Sequence, residues 1–280
     1  MRCVACGTAV TAAPAAPEAH DTGAYATAAP RLSRLAAPLL AAFDRQRLAL
    51  LRRAGVVPPA RVIDAGAGRG RFVVAARAAG YDARGIEPSA RGVDAARSVY
   101  GVELERATIE QATPGRADAV TLWHVLEHLD DPAAALRRIA SWLEPGGVLL
   151  IGVPNLDSLQ ARLAGGRWFH LDLPRHRTHF TPRGLTTLLT RTGFEVASTH
   201  HLLAEHNPWG MWQSLVPTRE PSYAYHLLKR NVRPDPASLA ITAATLPLAP
   251  LAAAAELAAG AARRGGTIAV VARHHAPAGV

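Results

Sequence analysis

Short apolar runs and helical repeats of apolar residues alternate along most of the chain. Apolar runs bounded by glycine or polar positions predict buried strands over 61–64, 84–87, 102–107, 118–123, 148–153, 194–199 and 267–272. Apolar residues three and four apart predict helices over 31–54, 71–79, 90–100 and 131–143, and Thr181-Pro182 begins a further helix that ends before Gly193. Because strand and helix alternate from Val62 onward, we expect an α/β fold with a doubly wound, mostly parallel sheet and helices on both faces.

The same pattern divides the chain into five segments. Residues 1–30 are rich in Ala, Pro and Thr and predict a flexible N-terminal segment, while residues 31–58 predict a helical cap. The core of the fold occupies 59–200, and the last strand with its tail occupies 267–280. Residues 201–266 form a long insertion before that last strand. Since long insertions in compact domains are usually functional or helical in their own right, we expect helices that cover a substrate site.

Composition excludes several classes of protein. Of 280 residues, 49% are hydrophobic, which is enough for a buried core and excludes disorder throughout. Two cysteines cannot form a disulfide framework. The net charge of +9 comes from scattered arginines, with Lys229 as the only lysine, and aromatic residues make up 5% of the chain. A nucleic-acid-binding protein clusters its basic residues on one element, so we expect no nucleic-acid partner.

Cys3 and Cys6 form a Cys-x-x-Cys-Gly motif near the N-terminus. Two thiolates at this spacing can hold one tetrahedral ion, as at the start of a zinc ribbon, but a ribbon needs a second pair of ligands. No other cysteine exists, and His20 supplies at most a third donor. We therefore interpret the motif as a degenerate knuckle without metal.

The stretch 237–262 is long and apolar enough to span a membrane, and Glu256 is its only charged residue. Its residues are mostly alanine, and Pro247 and Pro250 interrupt it. We expect packed helices rather than membrane contact; a span, or an interfacial or partner-docking helix, stays an alternative. The N-terminal residues lack the pattern of a signal peptide, so a cytoplasmic location is expected. The oligomeric state is not predicted.

A glycine-rich loop follows the strand 61–64. Asp64 ends that strand, and Gly66, Gly68 and Gly70 come next, which lets the backbone approach a ligand closely between strand and helix. NAD-binding folds also use a glycine loop, but their fingerprint is Gly-x-Gly-x-x-Gly, whereas this loop reads Gly-x-Gly-x-Gly. Glu87 ends the next strand, where a carboxylate can accept hydrogen bonds from a ribose. The pattern predicts a nucleoside site and does not by itself choose the nucleoside.

Over residues 60–200 the chain resembles the class I S-adenosylmethionine-dependent methyltransferases of small-molecule type. The resemblance rests on five stretches, namely 64–70, 85–88, Ile109-Glu110, 123–132 and 143–147. It implies a Rossmann-like sheet of seven strands, closed by an antiparallel hairpin of 194–199 and 267–272, and S-adenosylmethionine as the cofactor. It also implies that the glycine loop with Asp64 holds the methionine part and Glu87 the ribose. Ile109 would then flank the adenine, and Trp123 and His124 would line the sulfonium end.

Methyl transfer from a sulfonium is an in-line displacement in which alignment supplies much of the catalysis. A base helps when the acceptor is a hydroxyl, and histidine is the usual one near neutral pH. The candidates are His124, His128, His176 and His179, of which His176 is favoured because its segment, 169–180, holds several His and Arg residues after the fifth strand. Such a segment also suits an acidic acceptor. Trp168, Trp209 and Trp212 are candidates for the floor of the acceptor pocket.

The stretch His124-x-x-Glu127-His128 also resembles a metal cluster of ubiquinone-pathway O-methyltransferases. Those enzymes carry an acid where this chain has His124. Because of this departure we predict no metal, and expect Glu127 and His128 to orient the loop.

The function expected from the sequence is transfer of a methyl group to a small-molecule acceptor, most readily a hydroxyl oxygen. Two other classes stay open: a catalytically silent partner protein with this fold, and an NAD-dependent enzyme. An RNA methyltransferase is disfavoured, because the fourth strand is followed by Trp123-His124-Val125-Leu126 rather than an Asn-Pro-Pro-Tyr type of motif.

Overall fold

A computed structural model describes residues 1–12, 33–203, 207–228 and 232–275. Its main sheet has six strands, which are β2 (Arg61–Ala65), β3 (Asp82–Ile86), β4 (Ala117–Trp123), β5 (Leu143–Pro154), β7 (Phe194–His200) and β8 (Thr267–His274). Across the sheet they lie in the order β3-β2-β4-β5-β8-β7. The first four are parallel to one another, and β8 runs antiparallel to both β5 and β7. The expected doubly wound α/β sheet with an antiparallel C-terminal strand pair is confirmed.

Helices cover both faces of the sheet. They are α1 (Ser33–Arg53), α2 (Arg71–Ala78), α3 (Ala90–Ala95), α4 (Pro132–Ala140), α5 (Leu159–Ala164), α6 (Pro182–Arg191), α7 (Asn207–Leu215), α8 (Tyr223–Leu228), α9 (Pro236–Thr245) and α10 (Ala249–Ala261). Side chains cap two of these helices: the Asp131 carboxylate accepts a hydrogen bond from the Ala134 amide, and the Thr181 hydroxyl accepts one from the Gly184 amide. Each cap fixes where a helix begins beside the strand that precedes it.

Two apolar layers sandwich the sheet. Side chains of successive strand residues point to opposite faces. Val62 therefore packs with Phe43 of α1 and Phe72 of α2, while its neighbour Ile63 packs in the layer that includes Leu136 of α4. Because both faces are covered, the parallel strands are nearly continuous apolar runs.

The strand predicted over 102–107, which would bring the main sheet to seven strands, does not form. At this place the chain makes a single parallel bridge between Ile86 and Glu105, through hydrogen bonds from the Glu105 amide to the Gly85 carbonyl and from the Glu87 amide to the Glu105 carbonyl. Val102 and Leu104 are buried against the α2 side of the sheet instead. The segment thus covers the edge of β3 without extending as a strand.

The first twelve residues are folded onto the core, in contrast to the flexible segment predicted for 1–30. Strand β1 (Ala9–Val10) pairs antiparallel with β6 (Thr178–His179) as a separate two-stranded sheet. The Thr181 hydroxyl donates to the Cys6 carbonyl at 2.6 Å. Cys3 and Cys6 are free thiols in a turn, and residues 13–32, which include His20, lie outside the described residues. Through Cys6, the Cys-x-x-Cys turn attaches the N-terminus to the start of α6, directly after the segment that carries His176.

The insertion between β7 and β8 is helical, as expected. Its helices α7 to α10 pack on one another around Trp212 and Val216, with Ala224 of α8 completing a small apolar cluster. Glu256 of α10 is buried and accepts hydrogen bonds from the Gln160 side chain and the Gly266 amide, both at 2.7 Å. These bonds fix the insertion to α5 and to the start of β8.

Candidate active site

A cavity of about 1010 Å³ opens at the carboxyl ends of β2, β3 and β4. In an open α/β sheet this is where ligands bind. One part of its wall comes from the strand ends and the loops after them and includes Gly66, Glu87, Ile109 and His124; another part comes from 168–176 and from 220–226 of the insertion. A cavity of this size accommodates a nucleoside cofactor together with a small acceptor.

The loop after β2 needs glycine for steric reasons. Gly66 has a φ of 77°, and a Cβ there would lie 2.3 Å from Cγ2 of Val125. The amides of Gly66 and Ala67 both donate to the Ile86 carbonyl, at 2.8 and 2.9 Å, which draws the loop over the end of β3. Gly68 and Gly70 also have positive φ and support the turn into α2. The loop forms one wall of the cavity through Gly66.

Glu87 is a buried carboxylate on the cavity wall. Its two oxygens accept hydrogen bonds from the amides of Gly68 at 2.8 Å and Ser89 at 3.0 Å. Those bonds hold the side chain at the end of β3, where the sequence predicted a partner for a ribose. Ile109 lies on the same wall. The carboxylate acceptor and the apolar surface here fit a nucleoside.

Asp64 lies behind the cavity wall rather than on it. Its carboxylate pairs with the Arg47 guanidinium at 2.9 Å and accepts a hydrogen bond from the Thr121 hydroxyl, and all three side chains are buried. The ring of Phe72 lies 3.6 Å from the guanidinium carbon of Arg47. Direct contact of Asp64 with the cofactor was expected; in the structure the residue anchors α1 to the end of β2.

Arg47 was missed in the sequence. It falls on the apolar stripe of α1 four residues after Phe43 and four before Leu51, and an arginine at such a position signals a buried charge partner.

Trp123 differs from its predicted place at the sulfonium end. Its side chain is 9% exposed and packs edge-on against Phe43, with ring centroids 5.3 Å apart. A Cβ on Gly152 of β5 would come within 2.6 Å of this ring. The residue points into the α1 side of the core, because alternation along β4 turns only the next residue, His124, toward the cavity.

A half-buried His124 and a buried Glu127 form a pair at the cavity. His124 has a φ of 54°, an uncommon conformation for a residue with a side chain, and its Nδ1 lies 2.9 Å from Oε1 of Glu127. Burial raises the pKa of Glu127, but the hydrogen bond with His124 and the electrostatic attraction of His124, His128 and His176 together outweigh it and lower this pKa to about 2. The other oxygen, Oε2, has no hydrogen-bond partner among the described residues. Glu127 therefore brings a permanent negative charge to the site.

His128 and His176 meet beside this carboxylate, with ring centroids 4.6 Å apart. Nδ1 of His176 lies 2.8 Å from the His170 carbonyl and Nδ1 of His128 lies 3.2 Å from the Arg175 carbonyl. A carbonyl only accepts, so each Nδ1 carries the proton. Burial lowers the pKa of His176 and lowers that of His128 to about 4. Both rings are neutral at pH 7, and Nε2 of His176 is the basic atom.

The segment 169–176 supplies further polar groups to the cavity. The Asp172 carboxylate holds Arg175 through bonds of 3.0 and 2.7 Å and lies 3.8 Å from Nε2 of His176. The ring of Tyr225, which the sequence interpretation missed, packs edge-on against Phe169 on the side of the insertion. These groups bring a carboxylate near the basic nitrogen of His176 and an aromatic wall opposite the strand ends.

Three of the remaining candidates, His179, Trp209 and Trp212, fall outside the cavity lining. His179 is buried behind it, and its Nε2 donates to the Thr11 hydroxyl at 3.0 Å, since that hydroxyl itself donates to the His176 carbonyl at 2.6 Å. Of the three tryptophans, Trp168 lines the cavity, whereas Trp209 and Trp212 pack in the apolar cluster of the insertion. Their helix lies one layer away from the acceptor space.

Glu127, His128 and His176 each offer one ligand atom, and these atoms lie within 4.8 Å of one another. The unpartnered Oε2 of Glu127 and two imidazole nitrogens are donors that suit a divalent transition metal. The donor set therefore fits such an ion, and the absence of metal at this place stays a prediction.

The sheet with its antiparallel strand pair, the glycine loop and the acid at the end of the next strand define a class I S-adenosylmethionine-dependent methyltransferase. Residues 30–199 match the model of a family described as methyltransferase domain, and the chain belongs to this family. It is an enzyme, and S-adenosylmethionine is its cofactor. Glu87, Ile109 and the Gly66 loop are the groups of this chain that fit the cofactor.

Curated relatives are ubiquinone biosynthesis O-methyltransferases. The protein of that name from Xanthomonas campestris is 30% identical over 184 residues, which span 61% of this chain and 76% of the relative. The one from Bordetella pertussis is 28% identical over 172 residues, spanning 55% of this chain and 69% of the relative.

Solved structures show the same fold. An S-adenosylmethionine-dependent methyltransferase from Thermotoga maritima matches with a TM-score of 0.50 and 19% identity over 84% of this chain and 89% of its own. The [4+2]-cyclase SpnF matches with a TM-score of 0.55 and 20% identity over 83% and 80%. A cyclase among the neighbours shows that this fold alone does not fix the reaction.

Proposed function

We propose that the protein transfers the methyl group of S-adenosylmethionine to a hydroxyl oxygen of a small-molecule acceptor. The observation that carries the proposal is His176: a buried neutral imidazole on the cavity wall whose Nδ1 proton is committed to the His170 carbonyl, leaving Nε2 as the base. A hydroxyl, unlike a neutral amine or a thiolate, must lose its proton as its oxygen is alkylated. A base placed in this way suits that acceptor.

When bound, S-adenosylmethionine supplies a methyl group activated by its sulfonium. The acceptor hydroxyl would lie in the cavity between the strand ends, where Glu87 and the Gly66 loop would hold the cofactor, and the aromatic wall of Phe169 and Tyr225. As the oxygen attacks, Nε2 of His176 accepts the hydroxyl proton. The Asp172 carboxylate, 3.8 Å away, stabilises the resulting imidazolium, and the buried charge of Glu127 acts in the same direction.

The names of the curated relatives support an oxygen acceptor, since they are called O-methyltransferases. At 30% identity or less this support covers the type of acceptor atom and not the acceptor itself.

The proposal is tested with matched acceptors that differ in one atom. Phenols and catechols are compared with the corresponding anilines, with release of S-adenosylhomocysteine as the readout and mass spectrometry to locate the methyl group. We expect turnover of the hydroxyl compounds and methylation on oxygen. Methylation of the amines instead would overturn the proposal, and so would S-adenosylhomocysteine binding without turnover of any member, the result expected of a silent partner protein.

A metal-assisted variant of the same reaction is the second candidate, and the donor set of Glu127, His128 and His176 is the observation that favours it. Metal analysis of the purified chain separates the two. Following the sequence prediction, we expect no stoichiometric metal and activity that a chelator does not change. One equivalent of metal that is lost in His128→Ala would instead make His176 a ligand rather than the base.

A further inference from the structure

Helices α9 and α10, with the turn between them, form a continuous helical stretch, Pro236–Ala261, that is long and apolar enough to cross a membrane. In the most apolar 18-residue window, 11% of the residues are buried. The core helix of a soluble domain would be mostly buried, and a surface helix would carry charged residues on its outer face. This stretch is not mostly buried, and its outer face carries no charge, because its one charged residue, Glu256, is turned inward.

The inner side of the stretch is fixed to the protein. Ile241, Ala249 and Ala252 pack against the apolar cluster of the insertion, and the indole of Trp212 donates to the Thr245 carbonyl at 3.0 Å. Glu256 is 2% exposed and holds the Gly266 amide. The orientation of the stretch on the protein, and with it the identity of its outer side, is thereby set.

The outer side consists of leucines, alanines and prolines. Five leucines, which we call the leucine face, are between 40% and 68% exposed: Leu239, Leu246, Leu248, Leu251 and Leu257. Exposed apolar surface of this extent marks an interaction site. Aromatic residues and arginine, which are enriched at the centre of protein–protein interfaces, are absent from 236–262.

The stretch cannot cross a bilayer while the domain stays folded. A helix of 26 residues is about 39 Å long, so a spanning helix would place its two ends on opposite sides of the membrane. Here both ends join the same domain: the Asp235 amide donates to the Tyr223 hydroxyl at 2.6 Å, and Gly266 leads directly into β8. The leucine face can therefore only lie along a surface.

Basic residues flank the leucine face at both ends. Arg219 and Arg233 are exposed near the start of α9, and Arg263 and Arg264 are exposed directly after α10. An apolar helical face with arginines at its borders is the arrangement that binds the boundary between acyl chains and anionic headgroups. We infer that the leucine face docks the protein on the surface of an anionic lipid bilayer. This inference does not depend on the acceptor assigned above.

Vesicle sedimentation of the full chain tests the docking surface. The vesicles are phosphatidylcholine alone or a mixture with phosphatidylglycerol. We expect the protein to sediment with the anionic vesicles and much less with the neutral ones. The double variant Leu248→Asp/Leu251→Asp should lose at least about tenfold in vesicle affinity, because charged side chains cannot enter the acyl region. Val57→Asp, at an apolar residue that is 56% exposed in the loop before β2, is the matched control and should bind as the wild type does.

A second double variant and a binding assay separate a loss of docking from a loss of folding. Arg263→Glu/Arg264→Glu leaves the leucines intact and should weaken binding to anionic vesicles alone, while S-adenosylhomocysteine binding shows that every variant is folded. Equal sedimentation of wild type and both double variants would overturn the inference, and so would a wild type that ignores anionic vesicles. Sedimentation velocity tests whether a second copy of the chain covers the leucine face instead. A wild-type dimer that becomes a monomer in Leu248→Asp/Leu251→Asp would show that it does and would overturn the inference.

Discussion

The ring of His176 donates its Nδ1 proton to the His170 carbonyl, 2.8 Å away, and is almost completely enclosed by protein. Enclosure disfavours the charged imidazolium, so the pKa of His176 falls below its usual value and the ring stays neutral through the physiological range. The carboxylates of Glu127 and Asp172 work against this and favour the cation once a proton arrives. The same surroundings thus keep the His176 ring neutral before proton transfer and stabilise its imidazolium form after it.

His176→Gln should lower kcat by about a hundredfold to a thousandfold, because a positioned base contributes on that scale. The affinity for S-adenosylhomocysteine should stay within about twofold, since Glu87 and the glycine loop are unchanged. Steady-state kinetics and calorimetry measure the two quantities. His201→Gln, at a buried histidine directly after β7 and away from the cavity, serves as the control and should keep most of the activity. Equal losses in both variants would assign His176 a structural role only.

At the scale of elements, α1 is joined to the sheet by an ion pair inside the core. The Arg47 guanidinium meets Asp64 at the end of β2 and lies against the ring of Phe72. Replacing one member of a buried pair leaves the other charge without compensation, which costs far more than an exposed ion pair contributes.

Arg47→Met should therefore lower the free energy of unfolding by about 3–5 kcal/mol. Arg45→Met, on the exposed side of the same helix, should change it by less than about 0.5 kcal/mol. Urea denaturation followed by circular dichroism measures both. A cost for Arg47→Met as small as that for Arg45→Met would show that the ion pair does not anchor α1.

The N-terminal strand is a second structural tie that bears on the site. Thr11 donates its hydroxyl proton to the His176 carbonyl, and its amide donates to the Arg177 carbonyl. The pairing of β1 with β6 therefore supports the backbone on which the base is mounted.

Thr11→Val keeps the shape of the side chain and removes this hydroxyl. One hydrogen bond is worth about 1 kcal/mol, so we expect kcat to fall about fivefold while the KM for S-adenosylmethionine stays the same. Hydrogen exchange should become faster at the amides of 176–179. The control is Val4→Ala in the same segment, at a fully exposed side chain. Unchanged exchange and unchanged kcat would mean that β1 does not position the site.

For the whole molecule, the buried histidines couple stability to pH. The pKa of His128 is lowered to about 4 and that of His176 is lowered as well, whereas the unfolded chain titrates near about 6.5. Below pH 6.5 the unfolded state therefore binds more protons than the folded state, and stability falls as the pH falls. Glu127, with a pKa of about 2, adds a loss in the same direction below about pH 4.5.

The free energy of unfolding should be nearly constant between pH of about 7 and 8 and should drop by about 2 kcal/mol by pH of about 5.5. Urea denaturation over that range measures it. The variant His128→Asn/His176→Asn removes both groups and should show a flatter profile. A wild type equally stable at both ends of the range would show that these rings are not held neutral in the folded state.

The order of elements and the glycine-rich loop after β2 could be predicted from the sequence, because their causes are local. Strand and helix periods, the caps at Asp131 and Thr181, and the glycine spacing all act over a few neighbouring residues. The strand predicted over 102–107 was wrong: this segment makes a single bridge, and its apolar side chains pack against the α2 layer.

Tertiary structure alone decided which of the candidate groups meet. Asp64 pairs with Arg47, and Thr11 lies 165 residues from the carbonyl it holds, so no spacing along the chain indicates either contact. The role of Trp123 and the exposure of the leucine face likewise depend on what packs on each side of an element. Sequence periodicity shows that a face is apolar, but only the folded chain shows whether a neighbour covers it, because burial is a property of the whole assembly of elements.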